Sequence, residues 1–396
     1  MAIKQWIVLL NALLILSPMS SCGGSSQSAE STTTTTTSSP GQQQMFPYAQ
    51  GWLGADGAYS VSLGNSKSLW FFDDTFVGPS SATSRTQSTG FIHNSVGISN
   101  CTGTNCTFQY FWSGMNTASP GPIFVAPGSD WYWAMDNFIY NGTLYIALMQ
   151  MHASGSGAFG FAYSGSVLAS VNNYTAPPSQ WNITYQQLNT GGSVVPCVSI
   201  VVGQGPGGNP NPADPNGANY AYFFAGVGSQ PYLALLRIPL TDLNHLARPG
   251  NSDWQYLNTS GSWETWQDTA TTLPSDNAQV INPGATEMTV RWHSSTNQWL
   301  AVYPGGLTHQ AYYALSSSLT AGWGASEPLY TYPEMQPSNA NYTPNVFCYA
   351  VKEHPEWETT GRLVFTYVCN STVESDVTNN MNLYHPIVVT QNLPQN

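Results

Sequence analysis

Five strongly aromatic or β-branched segments recur along the chain, and their spacing limits the fold more than any other feature. They are SLWFFDDTF from Ser68, GTLYIALMQ from Gly142, NYAYFFAGV from Asn219, NQWLAVYPG from Asn297 and GRLVFTYVC from Gly361. The first four starts are about 75 residues apart and the last follows after about 64, a period too long for a solenoid but suited to propeller blades with loop insertions. Candidate inner strands precede them at 54–61, 132–139, 194–201, 286–292 and 345–351, and third strands such as FGFAYSGSVLASV and QPYLALLRIPL follow several of them. Four strands per unit and five units predict an all-β, five-bladed β-propeller. A two-sheet sandwich with long loops is the alternative, and it leaves the recurrence unexplained.

Composition agrees with this reading. Only 7 % of residues are charged while 13 % are aromatic, so helix formers are scarce and strand formers abundant. The formal charge of −12, with no basic cluster, argues against nucleic acid and against anionic membrane surfaces.

The N-terminus reads as a targeting segment. Lys4 precedes an apolar run at 6–16, too short to span a bilayer, and then Met19-Ser20-Ser21-Cys22. That ending resembles a bacterial lipobox in which Cys22 is lipidated, although Met19 replaces the usual Leu and leaves plain signal cleavage as the alternative. Residues 1–22 are thus expected to be removed up to Cys22, 23–46 to form a Ser/Thr-rich tether, and 47–396 to form the propeller. The expected location is the bacterial cell envelope, through a lipid anchor alone, or otherwise secretion. Cys101 and Cys106 bracket a short loop, Cys348 and Cys369 lie on two neighbouring predicted strands, and Cys197 is left over. Both pairs could close as disulfides in an oxidising compartment.

In so charge-poor a chain, carboxylates at strand ends are the candidates for chemistry. Inner strands of a propeller converge on the axis, which would bring together Asp56 in GADGAYS, Asp136 in DWYWAMDNFIY, Glu287 in GATEMTVRW and, less securely, Glu353. Asp73 and Asp74 end the second strand of the first unit and point to opposite faces, so one of them joins the site and the other is expected to be solvated. Paired carboxylates suit glycoside hydrolysis, one protonating the leaving oxygen while the other attacks the sugar or activates water. Arg291 is even-spaced from Glu287 and could pair with it or bind substrate. Trp52 and Trp131 sit near loops and are the aromatics most suited to stacking on sugar rings, while Asn94 in HNSVGIS is a further candidate substrate contact. No histidine or cysteine spacing marks a metal site, and no cofactor is expected, with an axial calcium ion left open.

The combination of GADGAYS, SLWFFDDTFVG and HNSVGIS resembles a five-bladed propeller family long described as a domain of unknown function, some bacterial members of which are endo-D-arabinanases. The likeness continues through ATEMTVRWHSSTNQWLAVY, SLTAGWGASEPLY and EHPEW to the C-terminus. It implies Asp56 and Asp74 as functional positions, and Asp73 departs from the small residue that many relatives carry there. More distantly the chain is similar to the arabinanase and xylosidase propellers, where carboxylates on different inner strands act as base, acid and pKa modulator. By blade position these roles fall to Asp56, Glu287 and Asp136. The expected function is a surface-tethered, monomeric glycoside hydrolase cleaving a furanose-containing polysaccharide, an arabinan for example, with Asp56 as nucleophile or base and Glu287 or Asp74 as donor. A non-catalytic carbohydrate-binding or adhesion propeller is the alternative.

Overall fold

A computed structural model of the protein describes residues 45–102, 105–156, 159–202, 220–244, 246, 254–266, 272–306, 308–320 and 322–395. Cys22, the signal segment 1–22 and residues 23–44 of the tether lie outside the described residues.

The second strands are buried along nearly their whole length, for example Thr143–Ala153 and Arg362–Ser371. A strand covered on both faces needs apolar residues at every position rather than at alternate ones. In this fold the cover comes from the blades on either side. Five antiparallel sheets stand in a ring, and the inner strands are Trp52–Gly64, Trp131–Tyr140, Val194–Val202, Thr289–His293 and Val346–Glu353. Each inner strand pairs with the recurrent aromatic strand that follows it. Asn141-Gly142 joins the two in blade 2 with both residues at positive φ, as a tight two-residue hairpin requires. Adjacent inner strands touch in sequence order, and the first also touches the last, so the ring is closed. The protein is a five-bladed β-propeller.

Blades hold five, four, five, four and three strands among the described residues. The last blade is therefore joined to the first by side chains. Arg85 of blade 1, only 2 % exposed, donates to Leu53 O in its own blade and to the carbonyls of Val377, Asn380, Leu383 and Tyr384 in blade 5. The Tyr48 hydroxyl also donates to Met381 O. A guanidinium has five N–H donors in a rigid fork and can serve several carbonyls at once. Burial pushes the pKa of Arg85 down, and the Tyr48 and Tyr384 oxygens oppose that shift.

Disulfides join Cys101 to Cys106 across a hairpin and Cys348 to Cys369 between the two inner strands of blade 5, while Cys197 is buried and free.

Candidate active site

The first inner strand bends where GADGAYS begins. Its register against the second strand slips between Trp52 and Ala55, Ala55 and Gly57, and Gly57 and Tyr59, and Gly54, Gly57 and Ala58 have positive φ. Such bulges re-aim a side chain out of the regular pleat. Glycine is required at two of these positions for space as well as conformation. A Cβ at Gly54 would lie 2.3 Å from Tyr384 O, and one at Gly57 would lie 2.9 Å from Asp73 Oδ2. The chain can thus turn Asp56 toward the seam with blade 5 and let Asp73 approach.

Asp56 Oδ2 accepts from the Tyr349 hydroxyl at 2.5 Å and from the Tyr384 hydroxyl at 3.2 Å, whereas its Oδ1 is shielded and has no donor. Burial raises the pKa of Asp56 well above the usual carboxylate range, and the charges of Asp74 and Glu287 add to this while the two tyrosine hydroxyls oppose it. Asp73, 4 % exposed, accepts from Ala134 N at 2.5 Å. Its pKa is also raised well above the usual range, by burial and then by Asp56 and Glu287, against the positive charge of Lys352. Asp74 Oδ1 accepts from the Trp133 indole at 3.0 Å and lies 2.8 Å from His93 Nδ1. Neither neighbour of the pair is plainly solvated. The expectation that one of the two is solvated is corrected, since Asp73 is buried beside Gly57 and interacts with Asp56.

Glu287 sits in the bend before the inner strand of blade 4 and meets Lys352 Nζ at 3.5 Å. Lys352 is buried, with its ammonium 4.2 Å from the centre of the Tyr59 ring. Burial lowers its pKa, and Glu287 and Asp73 counter that fall. Tyr59 in turn donates to Val198 O and Met288 O, so one ring from blade 1 ties the inner strand of blade 3 to the residue that precedes the inner strand of blade 4.

Five sequence expectations are corrected by burial and by partners. Asp136 is fully buried and saturated by five hydrogen bonds, from Asn137 N, Ser199 Oγ, Ile200 N and both terminal nitrogens of Arg291. It is a structural anion tying blades 2, 3 and 4. Arg291 consequently pairs with Asp136 at 2.7 Å and not with Glu287. Burial works against the guanidinium charge of Arg291, but Asp136 more than offsets it and the pKa lies above its ordinary value. Trp52 has no exposed surface and stacks on Tyr110 at 4.5 Å, which removes it from sugar binding. Asn94 is likewise buried and spends its amide on Phe124 O, Tyr132 O and Phe124 N. Glu353 lies beside His293 and not among these acids.

Trp131 keeps partial exposure and stacks face to face on His93, with centroids 4.4 Å apart. Phe91, 47 % exposed, contacts Phe76, Tyr384 and His93 edge-on or tilted. Aromatic rings therefore flank Asp56 and Asp74 from Tyr384 to Trp131. The residues missed from sequence were Tyr349, Tyr384, Lys352 and His93. A faint signal existed for Lys352 alone: it is one of 8 basic residues and stands near the end of an inner strand.

The family described as a domain of unknown function (DUF5005) matches residues 42–389. No curated protein matches the sequence. Among solved structures, a candidate hydrolase from Bacteroides ovatus is similar at TM-score 0.63 and 17 % identity, with 86 % of each chain covered. A GH43_1 enzyme from Xanthomonas citri complexed with xylotriose aligns at TM-score 0.44 and 11 % identity over 89 % of this chain and 90 % of its own. An exo-β-1,3-galactanase from Phanerochaete chrysosporium complexed with β-1,3-galactotriose aligns at 0.43 and 12 % over 86 % of this chain and 61 % of its own. The first of these likenesses, at TM-score 0.63, agrees with the fold described above. With its match running from before the first blade almost to the C-terminus, the chain belongs to the DUF5005 family.

Proposed function

We propose that the protein is a glycoside hydrolase acting on a furanose-containing polysaccharide, with an arabinan the first to test. The observation that carries this reading is Asp56, held through one oxygen by two tyrosines and left without a donor on the other, among further carboxylates. Hydrolysis needs one carboxyl that keeps its proton and one carboxylate that attacks or activates water, and environments that separate their roles mark the pair.

The electrostatics favour Asp56 as the acid, reversing the role expected from sequence. Burial and two nearby negative charges favour its protonated form. Asp74, 18 % exposed and fixed through Oδ1 by Trp133 and His93, is then the nucleophile or base, leaving Oδ2 for the reacting atom. Glu287 adds to the negative charge around Asp56, and Lys352 pairs with Glu287 and counters the charge at Asp73. Phe91 and the partly exposed Trp131 offer aromatic surface for sugar stacking. The lipobox-like N-terminus supports export and tethering to a cell envelope, where such a polymer would be met.

Role assignment is tested with leaving groups. Asp56→Asn should lose most activity on a glycan but retain it on an aryl glycoside with an acidic phenol, which needs no protonation. Asp74→Asn should lose both. Equal loss on both substrates for Asp56→Asn would contradict its role as acid.

A further inference from the structure

His293 ends the inner strand of blade 4, Glu353 ends that of blade 5, and Glu358 follows the short turn Pro355–Trp357. One ligand atom from each of these three residues lies within 4.8 Å of the others. His293 Nε2 is 2.8 Å from Glu353 Oε1, and His293 Nδ1 is 3.8 Å from Glu358 Oε2. Apart from that ion pair, His293 Nε2 and both oxygens of Glu353 are buried without a hydrogen-bond partner. The side chains of His293 and Glu353 are 8 % and 0 % exposed, so water does not solvate them freely. Oε2 of Glu353 meets no donor at all, and a buried carboxylate is costly unless a cation meets it.

The local charge points the same way. Arg291, whose charge interacts with Glu353, is committed to Asp136 through both terminal nitrogens. Two carboxyl groups and one imidazole thus share one buried cluster. A divalent cation would neutralise both and accept a lone pair from neutral imidazole. Metal–ligand bonds of about 2.0–2.6 Å allow ligand atoms up to roughly 5 Å apart around one ion. Glu358, with 12 % of its side chain exposed, gives the cluster its opening to solvent.

We propose that His293, Glu353 and Glu358 form a site for one divalent cation that joins blade 4 to blade 5, apart from the carboxylates around Asp56. Imidazole with two carboxylates suits Zn²⁺ or Mn²⁺ better than a site built of oxygens alone. The ion would act on stability, since ligands drawn from two blades come together only in the folded ring.

The experiment uses the purified full chain, stripped with EDTA and desalted, then titrated separately with Zn²⁺, Mn²⁺ and Ca²⁺. Bound metal is measured by elemental analysis and Tm by calorimetry. The expected result is about one equivalent of Zn²⁺ or Mn²⁺ retained after desalting, with a higher Tm. Glu358→Gln should weaken this binding at least tenfold while the metal-free variant stays folded, and Asp56→Asn should leave it unchanged. The proposal is overturned if neither Zn²⁺ nor Mn²⁺ is retained and Tm does not move, as a protonated His293 clamp would give. It is equally overturned if Glu358→Gln binds like the parent, or if Asp56→Asn abolishes binding and so places the ion at the axis.

Discussion

Tyr384 of the last blade donates a 3.2 Å hydrogen bond to Asp56 of the first, so the seam that closes the ring also forms one wall of the candidate site. The backbone carbonyl of Tyr384 simultaneously accepts from Arg85. Ring closure and the position of the acid are thereby one arrangement.

Replacing Arg85 by Met should therefore cost both stability and activity. Five carbonyls lose a charged donor, each worth about 1–3 kcal/mol when left unsatisfied, with water recovering part of the loss. A destabilisation on the order of 3–5 kcal/mol is expected in denaturant unfolding. Arg85→Lys should rescue little of it, because an ammonium cannot reproduce the fork.

Asp136 and Arg291 should behave as a coupled structural pair. Arg291→Met leaves a buried carboxylate without its cation and is expected to cost about 3–5 kcal/mol. Adding Asp136→Asn in the same chain should recover part of that loss, and a double-mutant cycle by chemical denaturation measures the coupling.

Much of the fold was legible because blade strands announce themselves locally. Each recurrent segment falls where its aromatic run puts it, and the inner strands begin within three residues of the expected starts. The site was less legible because its partners depend on register and on contacts between distant blades. Glu287 and Arg291 are four residues apart, but the strand begins only at Thr289, so the even-spacing argument does not apply to Glu287. Lys352 follows a register shift after Tyr349, with Ala350 at positive φ, and no local pattern reveals where its ammonium ends. Trp52 illustrates the same limit: alternation identifies a strand without telling which face meets a neighbouring aromatic such as Tyr110.

Asp73 should trade stability for local charge. Its folded pKa is raised, so its contribution is fully favourable below the unfolded carboxylate pKa and is lost as pH rises through the folded value. Asp73→Asn keeps an acceptor for Ala134 N and cannot ionise. Its Tm should exceed that of the parent near neutral pH, with the advantage shrinking toward pH 4. A constant difference across that range would contradict the ionisation argument.

Two variants should move the pH profile in opposite directions. If Asp56 must hold a proton, the alkaline limb of kcat/KM reports its pKa in the free enzyme. Glu287→Gln removes a charge that raises this pKa, so the limb should move to lower pH. Tyr349→Phe removes a donor that lowers it, so the limb should move to higher pH.

The central claim is that the Asp56 cluster cleaves a glycan. The most direct measurement incubates the purified protein and its Asp56→Asn variant with a panel of arabinans, xylans and galactans and quantifies released sugars. The account predicts oligosaccharides from at least one furanose-containing polymer, with turnover by the variant reduced about 100-fold or more, as loss of a general acid does. Binding without cleavage across the panel, or undiminished turnover by Asp56→Asn, would contradict it.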